Sequence, residues 1–399
     1  MASGLSETRL ARVDAVLASS VEAGDIPGAV GLVARGDMVH VAAFGRRDIE
    51  NNAPVRRDTI FRIASMTKPI AAAAAMILVE EGKLKLDEPA TRLLPELADI
   101  RVLRSIDAAL DDTVPAERTI TLRDALTFRL GMGAVMAMPG SYPIQAAIEA
   151  AALQPGPYCS PFGTDEWLKR FASLPLLHQP GAAWTYHTGA DLVAILVERA
   201  AGVPFGQFLQ ERLFDPLGMK DTGYMVPENK LDRLSVSYMG GADTDGFRIF
   251  DPARGGNASQ APVFYSGGTG LTSTADDYLA FCRMMLNKGR HGGTRILSHA
   301  TVELMTADHL TPAQKAASGF YGGFWDATGW GFGMAVTTRR DDYPSVGTFG
   351  WDGGLGTSAR TDPTEGLITI LLTNRIWRSP KPEQIYTDFR TAAYQAIED

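Results

Sequence analysis

Apolar residues recur at helical spacing near the start of the chain. Leu10, Val13, Val16, Leu17 and Val21 share one face, and Gly24 follows them, which predicts a helix over 7–23. Pro27-Gly28 turns into two β-rich runs, 29–34 and 38–44, and Arg35-Gly36-Asp37 joins them as a hairpin. The longest apolar stretch, 69–79, is Ala-rich and reads as a buried helix, too short to span a bilayer. A long middle segment then alternates helical patterns with loops, with helices expected at 121–128, 144–152, 164–173, 189–201 and 205–213. Beyond it come a helix at 274–288, strands near 355–361 and 366–374, and an amphipathic helix at 382–397.

Strands at both ends with helices between them predict an α/β (α+β) fold in two units. Residues 1–85 and 265–399 would form an α/β domain, and 86–264 a mainly helical insertion, with the active site between them. Composition fits this picture: 399 residues, 45 % hydrophobic and 21 % charged, suffice for a large core. The 38 basic and 46 acidic residues give a net charge of −8 with no basic block, which argues against a nucleic-acid partner. Cys159 and Cys282 match no metal or redox spacing and read as free thiols. The charged residues near the N-terminus do not read as a secretory signal, so the expectation is a cytoplasmic protein without membrane association.

The candidate chemistry begins just before the Ala-rich helix, at Ser65-Met66-Thr67-Lys68. Residues three apart share a helix face, so the Lys68 ammonium can reach the Ser65 hydroxyl. A desolvated lysine can take the proton of a serine and make it a nucleophile. Alone, the tetrapeptide reads more readily as a helix start with a solvated lysine. Three further stretches bear on it. Tyr186, at a loop-to-helix junction, could share the proton with Lys68, because an adjacent cation favours phenolate. The stretch 347–357 holds five glycines and reads as a strand edge where a substrate could approach, or as a turn. Ser266-Gly267-Gly268-Thr269-Gly270 lacks the Gly-Lys-Ser/Thr ending of a phosphate loop and reads as a turn capping the next helix.

In this order the pieces resemble the serine β-lactamase and penicillin-binding-protein superfamily, in its class C branch, and within it the family VIII carboxylesterases. The resemblance runs from about 8 to 395. It is carried by Phe61-Arg62-Ile63-Ala64-Ser65-Met66-Thr67-Lys68, Leu126-Thr127, Pro180-Gly181-x-x-Trp184-x-Tyr186 and Asp215-Pro216-Leu217-Gly218-Met219-Lys220-Asp221-Thr222. Gly267-Gly268-x-Gly270-Leu271-x-Ser273-Thr274-x-Asp276-Asp277 and Gly350-Trp351-x-Gly353-Gly354-x-Gly356-Thr357 complete it. The resemblance implies an antiparallel sheet flanked by helices with an inserted helical lobe. It also implies a Ser65 acyl-enzyme, with Lys68 and Tyr186 as general base and acid and the N–H groups of Ser65 and Gly354 as the oxyanion hole. No metal or cofactor is called for, and the partner is a small-molecule ester.

Two departures bear on substrate. β-Lactamases of this branch commonly carry Tyr-x-Asn, where this chain has Tyr186-His187-Thr188, and Lys-Thr-Gly, where it has Trp351-Asp352-Gly353. An indole beside a carboxylate should disfavour anionic substrates and suit a neutral ester, and the expected substrate is a small, short-acyl one. Trp351, Asp352, Gly353 and His187 are therefore expected to bind substrate. A Ser-His-Asp triad through His187 is disfavoured, since the chain has no Gly-x-Ser-x-Gly elbow. Loop 131–163, with Met132, Met136, Met138, Tyr142, Tyr158 and Phe162, reads equally as pocket lining and as lobe packing. A β-lactamase or D-Ala-D-Ala-type peptidase, an acyltransferase, and a catalytically silent binding protein are the alternatives.

Overall fold

The computed structural model describes residues 4–398. Its framework is an eight-stranded sheet drawn from the two ends of the chain. In chain order its strands are β1 (Gly28–Arg35), β2 (Met38–Asp48), β3 (Ala53–Pro54), β4 (Thr328–Trp330), β5 (Ala335–Thr337), β6 (Phe349–Gly353), β7 (Thr357–Asp362) and β8 (Leu367–Thr373). Their spatial order is β4-β5-β6-β7-β8-β1-β2-β3, and every pair is antiparallel. The central strand β8 is buried along its whole length. The β1–β2 hairpin at Gly36-Asp37 is as the sequence predicts, with Arg35 opposite Met38.

Period-two alternation divides β1 and β8 between two cores. Val30, Leu32, Ile370 and Leu372 face the main apolar cluster, whereas Ala29, Val33 and Leu371 face a second cluster. Leu10, Val13 and Leu17 of helix α1 (Glu7–Glu22) complete the second cluster, together with helix α5 (Gln384–Gln395), which supplies Phe389. Gly31 is a close-approach position: a Cβ there would stand 2.7 Å from Leu17 and 2.7 Å from Phe389. The main cluster is covered by helix α2 (Thr67–Glu80) and continues into helix α3 (Thr188–Ala201) and helix α4 (Ala275–Leu286).

Helix α2 is buried from Thr67 to Leu78, and its run of alanines explains how: alanine favours helix and lets neighbouring elements approach. Pro69 sits harmlessly in the first turn, and Gly82 (φ +71°) ends the helix in the left-handed conformation. Among the described residues no single helix is long and apolar enough to cross a membrane. The apolar pair Thr188–Ala201 and Phe205–Leu217 is bent by 81° and lies largely in the core. Both cysteines are free.

The structure departs from the sequence expectation in three places. Residues 349–353, read only as a strand edge or turn, form the full strand β6, and the short strands β4 and β5 extend the sheet beyond it. The middle segment also holds two small antiparallel ribbons, Arg101–Leu103 with Thr113–Pro115 and Ser237–Gly241 with Gly246–Asp251. The helix expected at 205–213 is α-helical over Phe205–Leu209 and continues as a π-helical turn over Gln210–Phe214.

Candidate active site

Ser65 lies in a 3₁₀ turn, Ala64–Met66, that runs directly into α2. Ala64 adopts φ +44°, a costly conformation for a residue with a side chain, and it presents the half-buried Ser65 at the foot of a cleft. Lys68 falls one turn later and is 1 % exposed. Its Nζ lies 2.8 Å from Ser65 Oγ, 2.6 Å from the Gly268 carbonyl oxygen and 3.3 Å from His187 Nδ1. Burial pulls the Lys68 ammonium down to about 7, against the opposing pull of the Asp191 carboxylate. A large share of the amine is therefore neutral near pH 7 and able to accept the Ser65 proton.

Tyr186 comes from the segment entering α3. Its hydroxyl accepts a hydrogen bond from Trp351 Nε1 at 2.7 Å, and Ser65 is near enough to favour the phenolate. Its ring is walled by Phe128, Trp184, Phe320, Trp330 and Trp351. Burial outweighs both favourable contacts, and the phenol is held well above its ordinary range. This reverses the expectation that an adjacent ammonium would lower it. The Lys68 Nζ sits instead over the ring, 4.7 Å from its centroid, where the cation meets the π face. The proton thus stays on Tyr186, and the free lone pair belongs to Lys68.

The other expected residues divide. Gly354 is exposed at the cleft, between β6 and β7. Among the described residues neither its N–H nor that of Ser65 has a protein acceptor. Gly353 does not reach the cleft. A Cβ there would lie 2.3 Å from the Ile63 carbonyl oxygen, so this glycine lets β6 pack against the segment leading to Ser65. Asp352 borders the cleft, but Arg360 (2.7 Å) and Ser358 (2.6 Å) take its two carboxylate oxygens. Despite burial, that arginine keeps the carboxylate below its usual range, and its charge is largely spent on the pair. Trp351 lines the cleft and holds Tyr186 at the same time. His187 touches the cleft floor, but both ring nitrogens face protein groups, Lys68 on one side and Asp191 (3.5 Å) on the other.

The cleft has a volume of about 410 Å³ and mostly apolar walls, including Met136, Phe320, Tyr321, Leu355 and Trp377. Loop 131–163 contributes in both expected ways: Met136 and Pro155–Pro157 line the cleft, while Met132 is buried in the main core. Asp191, Ser266, Gly268 and Phe320 were not legible as site residues. Gly268 sat in a stretch read as a turn capping the next helix, but the residue that caps that helix is Thr274, whose Oγ1 accepts from Asp277 N at 3.2 Å. The 266–270 stretch instead delivers the carbonyl that holds Lys68. Asp191 could have been found at i+4 from His187, on one face of α3.

A serine and a desolvated lysine packed against β6 and β7 of an antiparallel sheet, faced by a tyrosine from a helix start, stand together on a β-lactamase-like fold. The family model described as Beta-lactamase matches residues 13–388, and the chain belongs to that family. The resemblance to family VIII carboxylesterases holds in the comparisons as well. The chain is 32 % identical to Esterase EstB of Burkholderia gladioli, covering 91 % of this chain and 90 % of that one. It is 40 % identical to Protein Rv1367c of Mycobacterium tuberculosis, covering 88 % and 86 %. Among solved structures it resembles EstCE1, described as a hydrolase with promiscuous acyltransferase activity (TM-score 0.81, 27 % identity, 97 % and 99 % covered).

Proposed function

We propose that the protein is a serine carboxylesterase acting on small neutral esters through a Ser65 acyl-enzyme. The observation that carries this reading is the 2.8 Å approach of a desolvated Lys68 amine to Ser65 Oγ at the foot of an aromatic-walled cleft. Lys68 takes the Ser65 proton as Oγ bonds to the ester carbonyl carbon, and the carbonyl electrons move onto oxygen. The N–H groups of Ser65 and Gly354 receive that oxyanion. As the tetrahedral adduct collapses, the bond to the alcohol breaks and Tyr186 protonates the departing oxygen. The Lys68 ammonium then makes good the proton lost from the phenol. Water then attacks the acyl carbonyl as the neutral Lys68 amine takes its proton, the bond from the acyl carbon to Ser65 Oγ breaks, and the Lys68 ammonium returns the proton to Oγ.

Trp351 supports an ester over an anionic β-lactam, since the place where an ammonium would draw a substrate carboxylate is filled by an indole. The test is turnover of p-nitrophenyl acetate, butyrate and octanoate beside nitrocefin, with Ser65→Ala as control. Ester turnover lost in the variant, with little nitrocefin cleavage, is the expected result. Efficient nitrocefin cleavage with poor ester turnover would return the protein to the β-lactamases.

Acyl transfer is the second reading. A cavity of about 400 Å³ adjoins the cleft and shares Ala64, Pro157 and Leu355 with it, which leaves room for an acceptor alcohol beside the acyl-enzyme. Formation of a new ester when an acceptor alcohol is added would show it.

A further inference from the structure

A general base must do more than lose its proton; its lone pair must point at the proton it is to take. The Lys68 amine nitrogen has three free tetrahedral directions, and the structure gives each a partner: Ser65 Oγ, the Gly268 carbonyl oxygen and His187 Nδ1. A carbonyl oxygen can only accept. His187 Nδ1 accepts when the ring proton is on Nε2, and the Asp191 carboxylate 3.5 Å from Nε2 selects that tautomer. Asp191 is fixed in turn, accepting from the Ser266 hydroxyl and from Gly268 N–H at 3.3 Å. With its two N–H groups spent on two pure acceptors, the neutral amine has only its lone pair left for Ser65, the one partner with a proton to give.

We infer that His187, oriented by Asp191, is a positioning residue that aims the Lys68 lone pair at Ser65. This rests on the Ser65–Lys68 reading of the reaction above. The step moves one proton from Ser65 Oγ to Lys68 Nζ, and the resulting ammonium finds all three of its N–H groups already partnered. Two independent features of the backbone serve this arrangement. His187 sits at φ +86°, ψ −66°, a conformation unfavourable for any residue with a side chain, at the N-cap position just before α3. Gly268 lacks a side chain where a Cβ would lie 2.8 Å from His187 Nε2, so the ring and the carbonyl that holds Lys68 fit only around a glycine. Burial and the Lys68 charge keep the imidazole below its ordinary range, against the opposing pull of Asp191, which leaves it neutral and able to accept.

The groups facing Lys68 are Ser65, the Tyr186 ring, His187 and, behind it, Asp191. Variants at His187 and Asp191 therefore separate aiming from bulk. His187→Phe keeps a flat ring and removes the acceptor. His187→Asn places an acceptor close to the Nδ1 position. Steady-state kinetics on p-nitrophenyl acetate, fluorophosphonate labelling of Ser65 and thermal melting would be read together. The expectation is a fall in kcat of about 10- to 100-fold for His187→Phe with KM within about twofold, and recovery to within about fivefold of the parent in His187→Asn. Asp191→Asn should lower kcat and move the acid limb of the kcat/KM profile to lower pH, because Lys68 loses the anion that raises it.

Equal rates for His187→Phe and the parent, or equal losses in His187→Phe and His187→Asn with parental melting, would overturn the inference. Should His187→Phe not fold, Asp191→Asn decides: parental kcat and an unshifted limb overturn it. Ser65→Ala and Lys68→Met are run beside them. Turnover surviving in either would remove the reaction itself, whereas turnover lost in both but unchanged in the His187 variants removes only the positioning role.

Discussion

Replacing Lys68 by methionine should make the folded protein more stable at neutral pH while removing its activity. The Lys68 amine is fully buried and drops from 10.5 to about 7 in the fold. A difference of about 3.5 units, at about 1.36 kcal/mol each, means that folding with the amine charged costs about 5 kcal/mol. That cost is present in full below pH 7. Between pH 7 and 10.5 the unfolded chain holds a proton that the folded chain has released, so stability rises by about 1.4 kcal/mol per pH unit. Above 10.5 the cost is gone. Methionine has a similar length and no charge, but it leaves the Gly268 carbonyl and His187 Nδ1 without a donor, at about 1 kcal/mol each. At pH 7, where about half of the folded-state amine is already neutral, the net gain is about 2–3 kcal/mol. Urea unfolding of parent and Lys68→Met at pH 6, 7, 8 and 9 gives the difference directly. Burial holds His187 below its ordinary range, and groups that do not face Lys68 cancel between the two proteins. The advantage of the variant should shrink steadily above pH 7. A difference that is flat in pH would mean that Lys68 keeps an ordinary pKa, and the argument for it as the base would fail.

Other outcomes follow from the same contacts. Ser65→Ala should abolish ester turnover, and Tyr186→Phe should lose on the order of a hundredfold in kcat, checked by steady-state kinetics. Trp351→Phe removes the 2.7 Å donor to the Tyr186 oxygen and should cost about three- to tenfold in kcat, from a hydrogen bond of about 1 kcal/mol, with parental melting. The kcat/KM profile of the parent should fall on its acid side with a midpoint near the Lys68 value of about 7. Gly31→Val would drive a side chain into Leu17 and Phe389, destabilising the protein by about 1–3 kcal/mol in urea unfolding while kcat of the folded fraction is unchanged.

Local signals were legible and non-local ones were not. The α2 helix, the β1–β2 hairpin and the strands near 357–362 and 367–373 all carry their pattern within a dozen residues, and each was readable at nearly its observed bounds. Strand β6 was obscured because Gly350 and Gly353 interrupt its apolar alternation, although both glycines are there for close packing. A Cβ on Gly350 would lie 2.1 Å from the Ala359 carbonyl oxygen of β7, and one on Gly353 would meet Ile63. The two ribbons in the middle segment have strands of three to six residues, too short to impose a period on the sequence.

The site divides on the same principle. Ser65 and Lys68 are three residues apart, so their contact is a property of one helix start and could be read from spacing alone. What decides their chemistry is not local. The carbonyl that holds Lys68 is 200 residues away at Gly268, and the indole that holds Tyr186 is 165 residues away at Trp351. Hence the identities of base and acid were open in the sequence, where a cation next to a phenol suggested a shared proton. The fold separates them by burying both: desolvation destabilises whichever form is charged, lowering the lysine and raising the tyrosine. One physical effect acting on two groups of opposite charge type favours a neutral amine and a neutral phenol, which is what the proposed base and acid require. The conformational strain at Ala64 and His187 falls next to Ser65 and Tyr186, where backbone comfort is given up to hold that pair in register.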